Sequence, residues 1–169
     1  MKKFLFLVAL MIATSMGLNA KIITKTEGVC HKWEGSNYCR NIAYLLGCTI
    51  VYNDETNQQL SNYIFELSAQ NSSYECLEDL FVLKNGTCQE MYDFLTHIEN
   101  WGEQHKDNGV SEGFDGYTLK RWTFGLLGSR IVVEIKDKYH SFKDKDIRNI
   151  KKKLVKYAKK NNIILNISN

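Results

Sequence analysis

The chain opens on MKKFLFLVALMIATSMGLNA, and this leader sets the chemistry in which everything after it folds. Lys2 and Lys3 make a positive start, Phe4 to Ala13 an apolar stretch, and the small residues Ser15, Gly17 and Ala20 follow. That is the layout of a secretory signal peptide, residues 1–20, with cleavage expected after Ala20 or, alternatively, after Gly17. The apolar stretch is short for a membrane span, which needs about 20 residues. No cysteine follows either site to carry a lipid. Residues 21–169 are then expected to form one exported domain, periplasmic or extracellular, with no transmembrane segment after cleavage and with length enough for a real core.

The five cysteines acquire a meaning from that destination. In an oxidising compartment disulfides are the default state of cysteine, and an odd count leaves at least one thiol over. Cys30 and Cys39 are the closest pair outside regular structure and are the expected bridge. Cys48, inside the apolar run LLGCTIVY, is expected to be buried and unpaired. Structural zinc sites use Cys-x2-4-Cys knuckles, whereas the gaps here are 9, 9, 28 and 12 positions, which argues against zinc.

Charge is unevenly spread. Residues 53–115 carry 13 acidic and 2 basic side chains, whereas 136–160 carry 11 basic and 3 acidic. Such asymmetry points either to an electrostatic partner for one end or to two lobes that attract each other.

Periodicity divides the chain into elements. Apolar residues at 42, 45 and 46 suit a short helix over Tyr38 to Leu46, ended by Gly47 and followed by a strand CTIVY; one longer strand through 42–52 competes with this reading. Leu60, Tyr63, Ile64 and Leu67 keep helical spacing behind Thr56 and Gln59, with YIFEL as a strand the alternative. A short helix between Ser73 and Gly86 comes next. Thr87 and Glu90 then make a capping box for the clearest helix, whose stripe is Met91, Phe94, Leu95, Ile98 and Trp101. DNGVSEGFDG reads as a loop, and YTLKRWTF and RIVVEIK as strands, the second putting Ile131, Val133 and Ile135 on one face. A last helix, capped by Ser141 or Asp144, has the stripe Ile147, Ile150, Leu154 and Tyr157, with NIILNIS as a closing strand. The sum is an α+β domain with helices packed on a mainly antiparallel sheet and stapled by disulfide.

Three groups could carry chemistry or binding. The first is Cys39: at the start of a helix its thiol pKa would fall, Arg40 adds positive charge, and His140 stands later in the chain as a base, the order of a cysteine hydrolase. The second is Glu134 and Lys136, two apart on a strand, with Asp115 upstream. An acidic pair plus a lysine suits metal-dependent phosphodiester cleavage. Over Glu90 to Ser168 this locally resembles the PD-(D/E)xK nuclease family. The resemblance implies Asp115 and Glu134 as ligands for Mg²⁺ and Lys136 as catalytic base or stabiliser. The third is the lysine-rich last helix, where Lys152, Lys153, Lys156, Lys159 and Lys160 could bind a polyanion or an anionic surface. Asp93, His97 and His105 also share a helix at spacings a metal could use. Of these, the leading reading is a small exported binding protein without catalysis or cofactor, using its charged surface on a macromolecule. The nuclease stands second and the hydrolase third. The sequence names neither the partner nor the oligomeric state.

Overall fold

Among the described residues, the eight strands pair only with their sequence neighbours. They form two four-stranded antiparallel meanders, each followed by a helix. The computed structural model describes residues 22–36, 39–72, 80–123, 125 and 128–167, and the side chains of all of these but 34–36 and 39–41. The first sheet holds β1 (Ile22–Ser36), β2 (Cys39–Asn53), β3 (Ile64–Gln70) and β4 (Leu80–Gly86), and α1 (Cys88–Gln104) follows. The second holds β5 (Ser111–Phe114), β6 (Tyr117–Thr123), β7 (Ser129–Ile135) and β8 (Lys138–Phe142), and α2 (Asp144–Lys160) follows. This confirms an α+β fold. The element order thus repeats, although no repeat stands out in the sequence.

The two sheets meet where β3 ends. The Ser72 amide donates to Tyr139 O (2.8 Å), and the His140 Nδ1–H donates to Gln70 O (2.8 Å). Asn71 and His140 are both buried there. One apolar cluster draws on both sheets and both helices, from Leu46, Phe65 and Leu67 through Leu95 and Ile98 to Ile131, Val133, Ile150 and Leu154.

α1 forms as its sequence dictates. The Thr87 amide donates to Glu90 Oε2 (2.7 Å) and the Glu90 amide to Thr87 Oγ1 (3.3 Å), the reciprocal box that satisfies two otherwise orphaned donors. Met91, Phe94, Leu95, Ile98 and Trp101 are all buried. Strands β6 and β7 also follow their alternation, with Leu119, Ile131 and Val133 in the core.

Elsewhere the structure corrects the expectation. Residues 42–52 lie in one strand, the competitor to a helix at Tyr38 to Leu46: Tyr44, Leu46, Cys48 and Ile50 face the core at period two, which outweighs the helical spacing of 42, 45 and 46. Ile64–Gln70 is strand, not helix, again by alternation through Phe65, Leu67 and Ala69. Thr56 does not cap a helix; Asn53 Oδ1 takes the amides of Glu55 (3.0 Å) and Thr56 (3.2 Å) in a turn. Leu80–Gly86 is strand where a helix from Ser73 is expected; residues 73–79 lie outside the described residues. Ser111–Phe114 and Lys138–Phe142 pair as strands that period two is too short-lived to announce, and 163–167 do not close as a strand.

The expected disulfide staple is also corrected. Cys30 is a free thiol, opposite Leu46, whereas Cys39 is opposite Ser36. Six residues of strand separate Cys30 from Ser36, roughly 20 Å, far beyond the reach of about 7 Å between Cα atoms that a bridge tolerates. Cys48 is buried and free, as its apolar setting predicts, and Cys88 is too. The expected leader lies outside the described residues.

Candidate cationic interface

The last helix lies along the outermost strand of the first sheet. Tyr157 Oη donates to Glu27 Oε2 (3.1 Å) and Lys32 Nζ to Asp146 Oδ2 (2.9 Å), so β1 and α2 run antiparallel. Three forces seat the helix. Ile147, Ile150, Leu154 and Ala158 are buried in the common core. Lys151 reaches across to Glu99 on α1 and lies over the Tyr92 ring (5.6 Å), tying the two helices together. At the N-terminus Asp144 accepts from Arg121 (2.7 Å) and Asp146 from Lys32, so both carboxylates complement the helix dipole and are engaged from below.

The opposite side of α2 faces water and is cationic from end to end. Lys145, Arg148, Lys152, Lys153, Lys156, Lys159 and Lys160 are all exposed. At 3.6 residues per turn, Lys145, Arg148, Lys152, Lys156 and Lys159 stack in a single row. Lys153 and Lys160 flank the row on the β1 side: Lys153 lies within electrostatic range of the Cys30 thiol, and Lys160 of the Glu27 carboxyl. The helix spans 17 residues, so the face is about 25 Å long. Of the cations in α2, only Lys151 pairs with a carboxylate among the described residues. Among the described residues, attraction between lobes therefore accounts for one lysine of the helix.

All five lysines singled out in the sequence sit on this face, and the structure adds Lys145 and Arg148. Their signal is the same three-and-four spacing one turn earlier. Asp144 and Asp146 obscure it, because sequence alone does not show that both acids turn inward.

The other candidates are scattered. Glu134 accepts an ion pair from Lys120, its neighbour on β6. Asp115 sits in the β5–β6 turn beside a shallow cleft lined by Val82, Lys84, Phe94 and Tyr117. Asp115 is a turn residue before β6, three positions before Thr118, the residue opposite Glu134. Lys136 stands in the β7–β8 turn at φ +58°. Among the described residues no three His, Cys, Asp or Glu side chains are arranged to hold a metal. Asp93 accepts from Gln89 (2.8 Å), the His97 ring packs edge-on to Phe114 (4.5 Å) and His105 stacks on Trp101 (4.7 Å). Those three therefore do not converge.

The cysteine candidate divides into parts. Cys39 lies in a strand rather than at a helix N-terminus, so the expected dipole effect on its thiol is absent; its side chain lies outside the described residues. β3 pairs with β2 only from Tyr44 to Thr49, and Cys39 is five residues past Tyr44, about 16 Å. His140, at the exit of β3, is buried and bound to Gln70 O. Burial pushes the Cys30 and Cys88 thiols up to about 11 and also raises Cys48, so these three stay protonated near neutrality. In a Cys39→Ser/Cys76→Ser variant, a thiol reagent at pH 8 is expected to leave buried Cys48 and Cys88 unlabelled for minutes in the native protein, to reach half-buried Cys30 first, and to label all three after denaturation. Prompt labelling of Cys48 or Cys88 in the folded protein would contradict their burial.

Among the described residues no helix is long and apolar enough to cross a membrane. Fold and face together define a class: a small α+β protein that presents an exposed cationic helical face. Compared with known protein families, curated proteins and solved structures, the chain matches none.

Proposed function

We propose that this is an exported, non-catalytic binding protein that engages an anionic macromolecular surface through the exposed face of α2. The observation that carries the reading is the row of five exposed cations, Lys145, Arg148, Lys152, Lys156 and Lys159, with no carboxylate partner among the described residues. Like charges held side by side repel one another, which destabilises the free protein slightly and favours any partner that supplies the counter-charge. The mounting of α2 on the core adds to this, because the backbone that spaces the cations is fixed before binding and only their side chains lose freedom on contact. The leader supports export, and the placing of Glu134, Asp115 and Cys39 supports a role without catalysis.

The reading predicts binding that is steep in salt. Retention on a polyanion such as heparin is expected at 50 mM NaCl and lost by several hundred millimolar, because exposed charges are screened over a few ångströms at that strength. Each lysine near an anionic surface contributes about 1 kcal/mol. Lys152→Glu/Lys156→Glu/Lys159→Glu is therefore expected to weaken binding by at least roughly 100-fold while leaving thermal unfolding close to that of the parent, since all three side chains are exposed. Salt-independent retention, or a reversal variant that binds as well as the parent, would refute it.

A further inference from the structure

The chain just past α2 carries a second feature beside the cationic row. The Ile163 amide donates to Ala158 O (2.9 Å), turning the backbone sharply at Asn161 and Asn162. Ile163 and Leu165 then pack against the core, and Ile164 between them points away, 88 % exposed. Ile167 is 46 % exposed. The segment is pinned to the first turn of α1: the Asn166 amide donates to Gln89 Oε1 (2.8 Å) and Gln89 Nε2 to Asn166 O (3.2 Å). An almost bare isoleucine is thus held out four residues beyond Lys160.

We propose that the partner of α2 is an anionic lipid bilayer, with the cationic row on phosphate headgroups and Ile164 entering the acyl boundary. The proposal rests on the cationic reading of α2 and commits it to one partner. One weak signal alone gives only marginal, reversible membrane binding, and two acting together are what stable attachment takes. The apolar stripe of α2 itself is consumed by the core, so the helix lies on the surface and does not insert. An apolar side chain gains nothing from a phosphate or sulfate backbone, and α2 offers no Trp or Phe on which a base could stack, so a lipid surface accounts for both features where a nucleic acid or a glycan accounts for one.

The test is vesicle co-sedimentation of the mature chain with phosphatidylcholine alone and with one part in four phosphatidylglycerol, run beside heparin retention. Binding is expected on the anionic vesicles and not on the neutral ones. Ile164→Ser, at a site too exposed to affect folding, is expected to weaken vesicle binding about tenfold and to leave heparin retention unchanged, while Ile164→Leu restores vesicle binding. If Ile164→Ser binds vesicles like the parent, or the protein holds heparin but ignores anionic vesicles, the lipid proposal fails and the cationic face stands. If charge reversal at Lys152, Lys156 and Lys159 alters neither readout, the parent reading fails as well.

Discussion

Replacing Arg121 by Met is expected to remove about 3–5 kcal/mol of folding stability, visible as a lower denaturant midpoint with an unchanged slope. Arg121 is 1 % exposed, under the C-terminus of α1. Its Nε donates to His105 O (2.9 Å), its Nη2 to Gly102 O, and its Nη1 to Asp144 Oδ1 (2.7 Å). The last turn of α1 has no basic residue of its own, so a guanidinium from β6 closes the orphaned carbonyls and meets the negative end of the dipole. The same group holds Asp144, the first residue of α2. Met would fill the volume and leave the buried Gly102 carbonyl and the half-buried His105 carbonyl without their donor. Lys would not substitute, because a single ammonium cannot reach three acceptors in a fixed fork. A loss under about 1 kcal/mol for Arg121→Met would show that water or a rearranged turn replaces the guanidinium.

Phe65→Ala is expected to cost about as much, roughly 3–5 kcal/mol, by leaving a cavity where β3, β2 and α2 meet. Phe65 is fully buried opposite Cys48, and its ring meets that of Tyr157 edge to face at 5.8 Å. Tyr157 in turn donates to Glu27 on β1, so the cavity would loosen the helix that carries the cationic face. Phe65→Leu keeps most of the volume and is expected to cost only about 1 kcal/mol. Tyr157→Phe keeps the ring, removes one hydrogen bond and is expected to cost about the same. Thermal melts of the three variants order these effects; equal melting for Phe65→Ala and Phe65→Leu would mean the site collapses without a cavity.

What could be read from the chain depended on whether a signal was local. α1 was legible because the Thr87–Glu90 box and a five-residue stripe agree with each other. The cationic face was legible in part, since lysine spacing survives any packing of the helix. At β2 and β3 the sequence leaves helix and strand in competition, because runs such as Ile42 to Leu46 satisfy both periods and only pairing with neighbouring strands decides. The sheet junction at Gln70 and His140 joins residues 70 positions apart and leaves no local trace. Arg121 did leave one: it alternates with the buried Leu119, so period two already places a cation on the inner face of β6. The Cys30–Cys39 bridge failed for the opposite reason, because closeness in sequence says little once both residues lie on long strands running in opposite directions.

Neighbour-only strand pairing has a consequence for how the chain reaches this state. Each hairpin can close from residues already near one another, so the entropic toll of loop closure stays small until the halves dock. The chain contains no proline, and slow peptide-bond isomerisation therefore adds no delay. Contact order therefore leads us to expect the meeting of Ser72 with Tyr139 and of α1 with α2 to come last, with the inner faces of both meanders open until then to any chaperone, or any aggregating neighbour, they encounter.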